Sequence, residues 1–232
     1  MWKRVAAGRE FHFYLAGINN QNFLMRDRET GSWWQQINGT AIFGPLRGTT
    51  LELATGDELS FGLWKKESPG GQVLVEVPKY SKEYDSAWEP KVAKMRVVLN
   101  PGTLGARDVV IGLEVAGAAR AYPVDALIKQ SPVQDHIGGQ LVLVVVGPDG
   151  KSVRAFLSQP PESSPSSDRE FFRKTSDDNW LLVDGATGSE WNFEGCAVSG
   201  TNQGQCLPRV TALRDYWFDW KNYHPATSIY QH

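Results

Sequence analysis

The amino-acid sequence predicts a mainly β protein, a β-rich α+β fold with two homologous repeats that contain β-hairpins and a few short helices. Three observations lead to this prediction. Most apolar stretches are short and alternate with polar residues or end at Asn/Gly turns. Helical patterns are few and brief. One motif, D-x-x-T-G-S-x-W, occurs twice, beginning at Asp27 and at Asp184.

Several segments have the pattern of paired strands. The stretches "FHFYLAG" from Phe11 and "NFLMRD" from Asn22 are apolar or alternate between turn residues. The stretch "DVVIGLEVAGAARAYPV" from Asp108 predicts a strand, an Ala-Gly turn and a second strand. "QLVLVVVGPDGKSVRAFLS" from Gln140 predicts a hairpin whose turn is "GPDGK".

Three short segments have helical character. "PVDALIKQ" opens with Pro123, a residue favoured at the first position of a helix. "RDYWFDWKNYH" carries Trp217, Trp220 and His224 at helical spacing, and Pro225 ends it. "ELSFGLWKKESP" is a weaker pattern that also ends at a proline.

Two segments lack a regular pattern. Residues Val77 to Gly105 are polar and irregular but include Tyr80, Tyr84 and Trp88, which predicts an ordered linker lying across a surface. The Pro/Ser-rich stretch "SQPPESSPSSDRE" from Ser158 predicts a mobile loop.

Composition excludes several classes of protein. A net charge of −2 over 232 residues gives no global attraction to nucleic acid or to an anionic membrane. No apolar stretch approaches the roughly 20 residues of a membrane helix, and the first residues lack the apolar block of a signal peptide. The nine tryptophans are either core and turn anchors or a stacking platform for sugars and other rings.

The two copies of the motif extend into a longer repeat. After one single-residue gap, the spacing between matching residues stays constant, which scattered chance matches would not do. We therefore predict a duplicated unit. The matching pairs are Asp27/Asp184, Thr30/Thr187, Gly31/Gly188, Ser32/Ser189, Trp34/Trp191, Gly39/Gly195, Ala41/Ala197, Gly44/Gly200, Gly48/Gly204, Leu51/Leu207, Trp64/Trp220, Lys65/Lys221 and Pro69/Pro225.

The motif has the chemistry of a turn. An Asp side chain accepts backbone N–H bonds, Thr and Ser do so more weakly, and Gly supplies positive φ. The Trp then packs over the turn from the return strand. The same groups are also candidates for ligand binding, so both interpretations stand for Asp27, Thr30, Ser32, Trp34, Asp184, Thr187, Ser189 and Trp191. A propeller is excluded, since blades repeat every 40–50 residues or so and these two copies lie much further apart.

The repeated stretches resemble the bacterial domain-of-unknown-function family 3179. The resemblance is carried by "RDRETGSWWQQINGTAIFGPLRGTTLEL" from Arg26, "LWKKESPGGQVL" from Leu63, and "DVVIGLEVAGAARAYPVDAL" from Asp108 with the following "VQDHIGG". It covers most of the chain except the linker and the Pro/Ser-rich loop. The resemblance implies this architecture and a periplasmic or secreted location.

The resemblance also implies a chemical constellation in the upstream part of each repeat: a His-Glu pair, an Asn-Asp turn and a Cys-Pro-x-Cys element. Together these would make a metal or redox site. In this chain the His-Glu positions fall on Gln130 and Ser131, the Asn-Asp positions on Gln134 and Asp135, and the Cys-Pro-x-Cys positions on 147–150. The resemblance therefore brings no metal, cofactor or catalytic group to this chain.

The expected domains are a partial first repeat at 1–77, a linker at 78–107 and a complete but degenerate second repeat at 108–232. The first repeat has only the downstream half of the unit, so Met1 is expected to fall inside a repeat. The missing half would leave a strand edge and an apolar face uncovered. We expect residues 1–77 to lean on the second repeat or to self-associate with another chain.

Four further residues complete the set of candidates. Asp135 and His136 lie beside a Gly-Gly turn and are either ligand-binding or ordinary surface residues. Cys196 and Cys206 lie on strands expected to be neighbours, where they form one disulfide or remain two buried thiols. No Ser-His-Asp set, phosphate loop or zinc-ligand spacing rises above background.

Two hypotheses of function follow. The first is a non-catalytic binding or scaffold module that uses the aromatic-lined turns to hold a small molecule or a protein partner, which favours a protein that is not an enzyme. The alternative is a truncated member of a metal- or redox-site protein, whose His/Glu/Cys constellation lies in the half-repeat missing before Met1. An in-frame upstream extension encoding a signal peptide and Cys-Pro-x-Cys would favour the alternative.

Overall fold

The structure is a computed structural model that describes residues 1–19, 22–95, 97, 102, 104–158, 169–174 and 180–231. Strands make up 38% of the chain and helices 14%, so the predicted mainly β fold class is confirmed. The Pro/Ser-rich segment predicted as a loop lies outside the described residues from 159 to 168.

The described elements are short. Before the linker, they are β1 (Val5–Ala6), β2 (Arg9–Glu10), β3 (Phe13–Asn19), β4 (Asn22–Asp27), β5 (Trp33–Gln35), β6 (Ala41–Phe43) and α1 (Phe61–Glu67). The linker region contains a 3-10 helix (Pro78–Tyr80) and α2 (Trp88–Lys94). The elements that follow are β7 (Val109–Val115), β8 (Ala118–Pro123), α3 (Val124–Gln130), β9 (Val133–Ile137), β10 (Gln140–Val146), β11 (Val153–Leu157), β12 (Phe171–Arg173), β13 (Leu182–Asp184), β14 (Glu190–Trp191), β15 (Ala197–Ser199), β16 (Arg209–Val210), β17 (Ala212–Tyr216), α4 (Trp217–Tyr223) and β18 (Ser228–Ile229).

Most of these strands form four-stranded sheets. Two sheets have the same antiparallel order, β3-β4-β5-β6 and β12-β13-β14-β15, and each contains one copy of the D-x-x-T-G-S-x-W motif. The other two have the orders β16-β11-β10-β9 and β17-β7-β8-β18, with β18 parallel to β8. Strands β1 and β2 form a separate pair.

Both predicted hairpins of the second part are present. Strand β7 pairs with β8 through a two-residue turn, in which Ala116 has φ 49° and Gly117 has φ 78°. Positive φ at both positions is the geometry that matches the twist of the flanking strands. Strand β10 pairs with β11 in the same antiparallel way.

Strand β10 explains the apolar run "LVLVVV", because it lies in a central layer that is covered on both faces. Val142 and Val144 face a core shared with Ile111 of β7. Leu143 and Val145 alternate to the opposite face and join a second core with the β12–β15 sheet. A strand buried on both sides loses the usual alternation of apolar and polar residues.

Each segment with a helical pattern contains a helix, but not every helix has the same bounds as its segment. Helix α3 begins at Val124, directly after Pro123. Helix α4 begins at Trp217, the first of the residues with helical spacing, and not at the start of the quoted segment "RDYWFDWKNYH". Residues up to Tyr216 belong to β17, because pairing with the buried strand β7 supplies backbone hydrogen bonds and decides against the local helical spacing.

The linker differs from its prediction. It contains two short helical elements, and local signals account for both. Pro78 opens the 3-10 helix with a φ suited to a first turn. The side chain of Asp85 accepts the backbone N–H of Ala87 just before α2. Tyr80 and Tyr84 are 42% and 55% exposed, and the expectation that this segment lies across a surface stays a prediction.

Residues predicted to belong to the first repeat pack against the second part of the chain. Leu63 of α1 is buried in the core that contains Phe156 and Trp191. At the same time β3 is an edge strand of its sheet, and Leu15 and Ile18 on it are 60% and 63% exposed. Self-association through this edge and the repeat boundaries at 77 and 107 both stay predictions.

Candidate functional site

Each of the two motifs folds as a hairpin closed by its Asp and Trp side chains. In the first, the carboxylate of Asp27 accepts the backbone N–H of Thr30 at 2.5 Å and the indole N–H of Trp34 at 2.7 Å. In the second, Asp184 accepts the corresponding bonds from Thr187 at 2.7 Å and from Trp191 at 3.1 Å. We call these two units the Asp/Trp hairpins.

The Thr and Ser of each motif extend the same network. The Thr30 and Ser32 hydroxyls lie 2.7 Å apart, and the Ser32 hydroxyl accepts the backbone N–H of Leu46 at 3.1 Å. In the second hairpin Ser189 accepts the N–H of Asn202 in the same way, at 3.1 Å. The Asn202 side chain also donates to Asp184 at 3.1 Å, a bond that Leu46 cannot make.

These contacts have the geometry of turn anchoring. The Asp, Ser and Trp side chains of both hairpins are at most 1% exposed. Burial by itself raises the pKa of Asp27 and of Asp184, but hydrogen bonds from the indole, hydroxyl and backbone donors outweigh it. The pKa of each carboxyl is therefore lowered, and both are ionised acceptors committed to their own hairpins.

Asp135 and His136 have separate surroundings. Asp135 accepts the hydroxyl of Tyr122 at 2.8 Å and pairs with Arg120 at 2.5 Å, which ties β8 to β9. Burial, followed by the Asp135 hydrogen bond, raises the pKa of Tyr122 above its usual range. His136 is exposed on β9, and its backbone N–H donates to the Asp135 carboxylate at 2.7 Å.

The positions that the family resemblance connected with metal or redox chemistry carry structural hydrogen bonds. The Gln130 side chain accepts the Tyr230 hydroxyl at 2.9 Å, and the Ser131 hydroxyl accepts the backbone N–H of Val146 at 2.8 Å. Asp149 caps its own turn by accepting the N–H of Ser152 at 2.9 Å. Within the ranges that the structure describes, there is no group of three or more His, Cys, Asp or Glu residues placed to hold a metal ion.

Cys196 and Cys206 form a disulfide. They occupy a single antiparallel bridge that follows the second Asp/Trp hairpin. Thr40 and Thr50 form the matching bridge after the first hairpin, where their hydroxyls lie 3.1 Å apart. The covalent link therefore replaces a hydrogen bond at an equivalent place.

The structure also reveals a cleft that the sequence patterns did not indicate. It has a volume of about 870 Å³ and lies between the two parts of the chain. Asn22 and Gln36 contribute to one wall, and Asp215, Asp219 and His224 contribute to the other. A cleft of this size with a few inward polar groups is typical of a small-molecule site.

Strand β17 and helix α4 bring Asp215 and Asp219 to the cleft. Asp219 is 7% exposed, and both of its carboxyl oxygens accept from the side-chain amide of Asn22. One carboxyl oxygen of Asp215 accepts the N–H of Tyr216 at 2.7 Å. The other, Oδ2, is buried and has no hydrogen-bond partner among the described residues. We call Asp215 and Asp219 the carboxyl pair.

Burial perturbs both acids. It raises the pKa of Asp215 to about 7, and the charge of Asp219 adds to this effect. Burial also raises the pKa of Asp219 to about 6, although the amide of Asn22 opposes the shift. The pKa values of both carboxyls therefore lie above the usual range of an aspartate. Carboxyls perturbed in this way, in a cleft, mark a functional-site candidate.

Sequence reasoning missed the carboxyl pair because it placed Asp215 inside a helix. A signal was nevertheless present in the repeat. With the spacing that follows the single gap, Asp215 aligns with Leu59, and Asp219 aligns with Leu63. Two acids in the second part therefore stand where the first part has two leucines. This replacement of apolar residues by charged ones can be seen in the alignment of the repeat.

Fold and site together define a class: a mainly β protein with two Asp/Trp hairpins and an acidic cleft between its two parts. The chain belongs to the family described as protein of unknown function (DUF3179), whose model matches residues 1–227, which confirms the resemblance. No curated protein and no solved structure matches the chain. Among the described residues, no helix has the length and apolar character needed to cross a membrane.

Proposed function

We propose that this protein is a non-catalytic binding module that holds a small polar molecule in the cleft between its two parts. The observation that carries the proposal is the cleft itself. Its volume of about 870 Å³ lies within the range of ligand pockets, and its walls come from both ends of the chain. Inward polar groups such as Asn22 and Asp215 offer the fixed contacts that give a pocket specificity.

The cleft is a better candidate than the aromatic-lined turns. The polar atoms of the Asp/Trp hairpins are buried and already hydrogen-bonded within their own turns, as Asp27 with Thr30 and Trp34 illustrates. In the cleft, by contrast, the side chain of Asp215 is a lining group that is only partly buried.

Ion pairs support a preformed cleft. The guanidinium of Arg154 in β11 is 4% exposed and contacts Glu67 of α1 at 2.6 Å and Asp57 at 2.8 Å. Arg209 pairs with the same Asp57. These contacts fix the two parts relative to each other, and a fixed pocket binds without first losing conformational freedom.

The disulfide supports an extracytoplasmic location, which the family resemblance already implied. Structural disulfides persist in oxidising compartments and are rare where thiols are kept reduced. A binding module with the Cys196–Cys206 bridge therefore suits a periplasmic or secreted setting.

The test is a fragment screen with a variant that fills the cleft. Thr211 lines the cleft, so Thr211→Trp should occupy its volume. Ala186→Trp adds an indole on the exposed turn of the second Asp/Trp hairpin and is the matched control. Ligand-observed NMR should find fragments that bind the wild-type chain and the control but not Thr211→Trp. Fragments that bind all three chains equally would contradict the proposal.

A further inference from the structure

We propose that the first part of the chain carries a docking surface for a β-hairpin of a partner protein. One strand of that hairpin pairs with residues 72–77, and its face packs on helix α1. The surface lies outside the cleft of the proposed function, so the two proposals can be tested separately. The sequence repeat supports the docking surface, because the second part of the chain shows what covers the matching residues.

Helices α1 and α4 are matching elements of the two parts. The spacing that separates Trp64 from Trp220 also relates the first and the last residues of the two helices. The helices end alike as well, since Ser68 and His224 have φ −128° and −124° and each donates its backbone N–H to the Trp four residues earlier. What covers α4 can therefore be compared directly with what covers α1.

In the second part, the β7–β8 hairpin covers both the helix and the strand that follows it. Trp217 and Trp220 of α4 are 1% and 2% exposed, in a core that also contains Ala121 of β8. Strand β18 pairs in parallel with β8, where the backbone N–H of Tyr230 donates to the Ala121 carbonyl at 2.8 Å. The Tyr230 ring stacks on Tyr122 of β8, with the ring centroids 5.1 Å apart. Helix, strand and hairpin are therefore packed together.

The matching side chains of the first part are exposed. Phe61 of α1 stands at the position of Trp217 and is 63% exposed. Leu74 stands at the position of Tyr230 and is 97% exposed. Large exposed apolar patches mark sites of protein interaction. The first part therefore presents the kind of surface that a hairpin covers in the second part.

Residues 72–77 have the sequence of a strand but no partner strand. The stretch "QVLVEV" is rich in β-branched residues, which favour strands. It begins beside α1, because a Cβ at Gly71 would lie 2.4 Å from the Trp64 ring. Among the residues that the structure describes, no strand pairs with it, and Val73 and Val75 are 60% and 79% exposed. A segment of this kind can add a strand to the edge of another sheet.

The second part also indicates the chemistry of the partner strands. Gly112 of β7 faces Trp220, and a Cβ there would lie 2.2 Å from the indole ring. Strand β8 is rich in alanine, with the sequence "AARAYP". Small residues on both strands let the hairpin backbone approach the aromatic rings of α4 closely. We therefore expect a partner hairpin with small residues facing Trp64 and with an edge strand that runs parallel to residues 72–77.

A second copy of this chain does not supply such a hairpin. Both edges of its own β7–β8 hairpin are paired, β7 with β17 and β8 with β18. One face of the hairpin already carries Trp217 and Trp220. The partner is therefore a different polypeptide that has an unpaired hairpin edge.

The experiment measures, by fluorescence anisotropy, the binding of a labelled peptide to the full chain. The peptide has the sequence of residues 108–123 and copies the β7–β8 hairpin. We expect saturable binding of one peptide per chain. The control peptide carries Gly112→Val and should bind at least tenfold more weakly, because its added side chain meets Trp64. Absence of saturable binding by the unchanged peptide would overturn the proposal, as would equal binding of the two peptides.

Variants of the full chain test strand pairing and apolar contact separately. Leu74→Pro removes the backbone N–H that matches the donor of Tyr230 and should weaken peptide binding at least tenfold, whereas Leu74→Ala keeps this donor and should weaken it less than threefold. Phe61→Ser should also weaken binding at least tenfold. Ile128→Ser, at a 49% exposed position of α3, is its control and should bind like the wild type. Circular dichroism checks the fold of each variant, and equal binding by Leu74→Pro and Leu74→Ala would contradict strand addition.

Sedimentation velocity without peptide tests the other occupants of this surface. The wild type and Phe61→Ser should sediment as the same species. A wild-type dimer that both Leu74→Pro and Phe61→Ser dissociate would assign the surface to a second copy and overturn the hairpin partner. Binding to phosphatidylglycerol vesicles that Phe61→Ser abolishes would assign it to a lipid surface and overturn the proposal as well. Neither Phe61 nor Leu74 lines the cleft, so these outcomes leave the fragment screen unaffected.

Discussion

Arg154 and Glu67 form a two-point ion pair between β11 and α1. Nη1 of Arg154 lies 2.8 Å from Oε1 of Glu67, and Nη2 lies 2.6 Å from Oε2. The guanidinium is 4% exposed, and its pKa is raised because hydrogen bonds to Glu67 and Asp57 outweigh the effect of burial. This pair joins the predicted first repeat to the second part of the chain.

Removal of one partner from this pair should destabilise the chain strongly. Glu67→Ala leaves the buried guanidinium with Asp57 as its remaining carboxylate, and breaking a buried pair costs about 3–5 kcal/mol. We expect the free energy of unfolding, measured in urea, to fall by about 3 kcal/mol, because Asp57 still pairs with the guanidinium. Glu52→Ala is the control, because the Lys3–Glu52 pair is exposed and such pairs contribute about 0–1 kcal/mol. Equal losses of stability in both variants would contradict the view that the Arg154–Glu67 pair holds the two parts of the chain together.

Asp184→Asn should destabilise the chain at neutral pH and much less in acid. The carboxylate accepts bonds from Thr187, Trp191 and Asn202, and such charged bonds contribute about 1.5–3 kcal/mol. Its folded pKa is lowered, so its contribution is complete above the unfolded value near 3.9. That contribution is lost as the pH falls through the folded pKa. Unfolding free energies of wild type and variant should therefore converge as the pH falls through the folded pKa. Asp125→Asn, at an exposed position, is the control.

Asp215→Asn should have the opposite pH dependence. Its pKa is raised to about 7, so the folded chain keeps a proton that the unfolded chain loses. Wild-type stability should therefore fall as the pH rises from about 4 to 7. The neutral amide removes this penalty, and we expect stabilisation on the order of 1–2 kcal/mol at pH 8 and little change at pH 4. Chemical denaturation at pH 4 and pH 8 measures the difference in unfolding free energy between the variant and the wild type. A variant that is less stable than the wild type at pH 8 would argue against an unpaired buried acid at this position.

The disulfide should stabilise the second hairpin region without being required for its fold. The double variant Cys196→Thr/Cys206→Thr copies the Thr40–Thr50 pair of the first part. Closing a loop with a sequence separation of 10 is expected to contribute about 3 kcal/mol. Thermal melts should show a folded variant of lower stability, and a reductant should lower the midpoint of the wild type but not of the variant. A variant that does not fold would show that the two bridges are not interchangeable.

Local sequence patterns were sufficient for the strands, the hairpin turns and the general positions of three helices. The Ala116-Gly117 turn and the anchoring of Asp27 and Asp184 follow from short-range chemistry, because all partners lie within a few residues. The start of α4 did not follow. Tyr216 and the residues before it are strand because a partner strand far away in sequence lies beside them.

The sequence by itself determined the mainly β class, the two matching motifs and the family. These depend on patterns with a period of two residues, on turn residues and on the constant spacing of the repeat. Only the tertiary structure decided that Leu63 enters an apolar core while Asp219, at the matching position, meets Asn22 across a cleft. The reason is physical: burial and the pKa of a carboxyl depend on which distant segments surround it, and a local pattern does not contain that information.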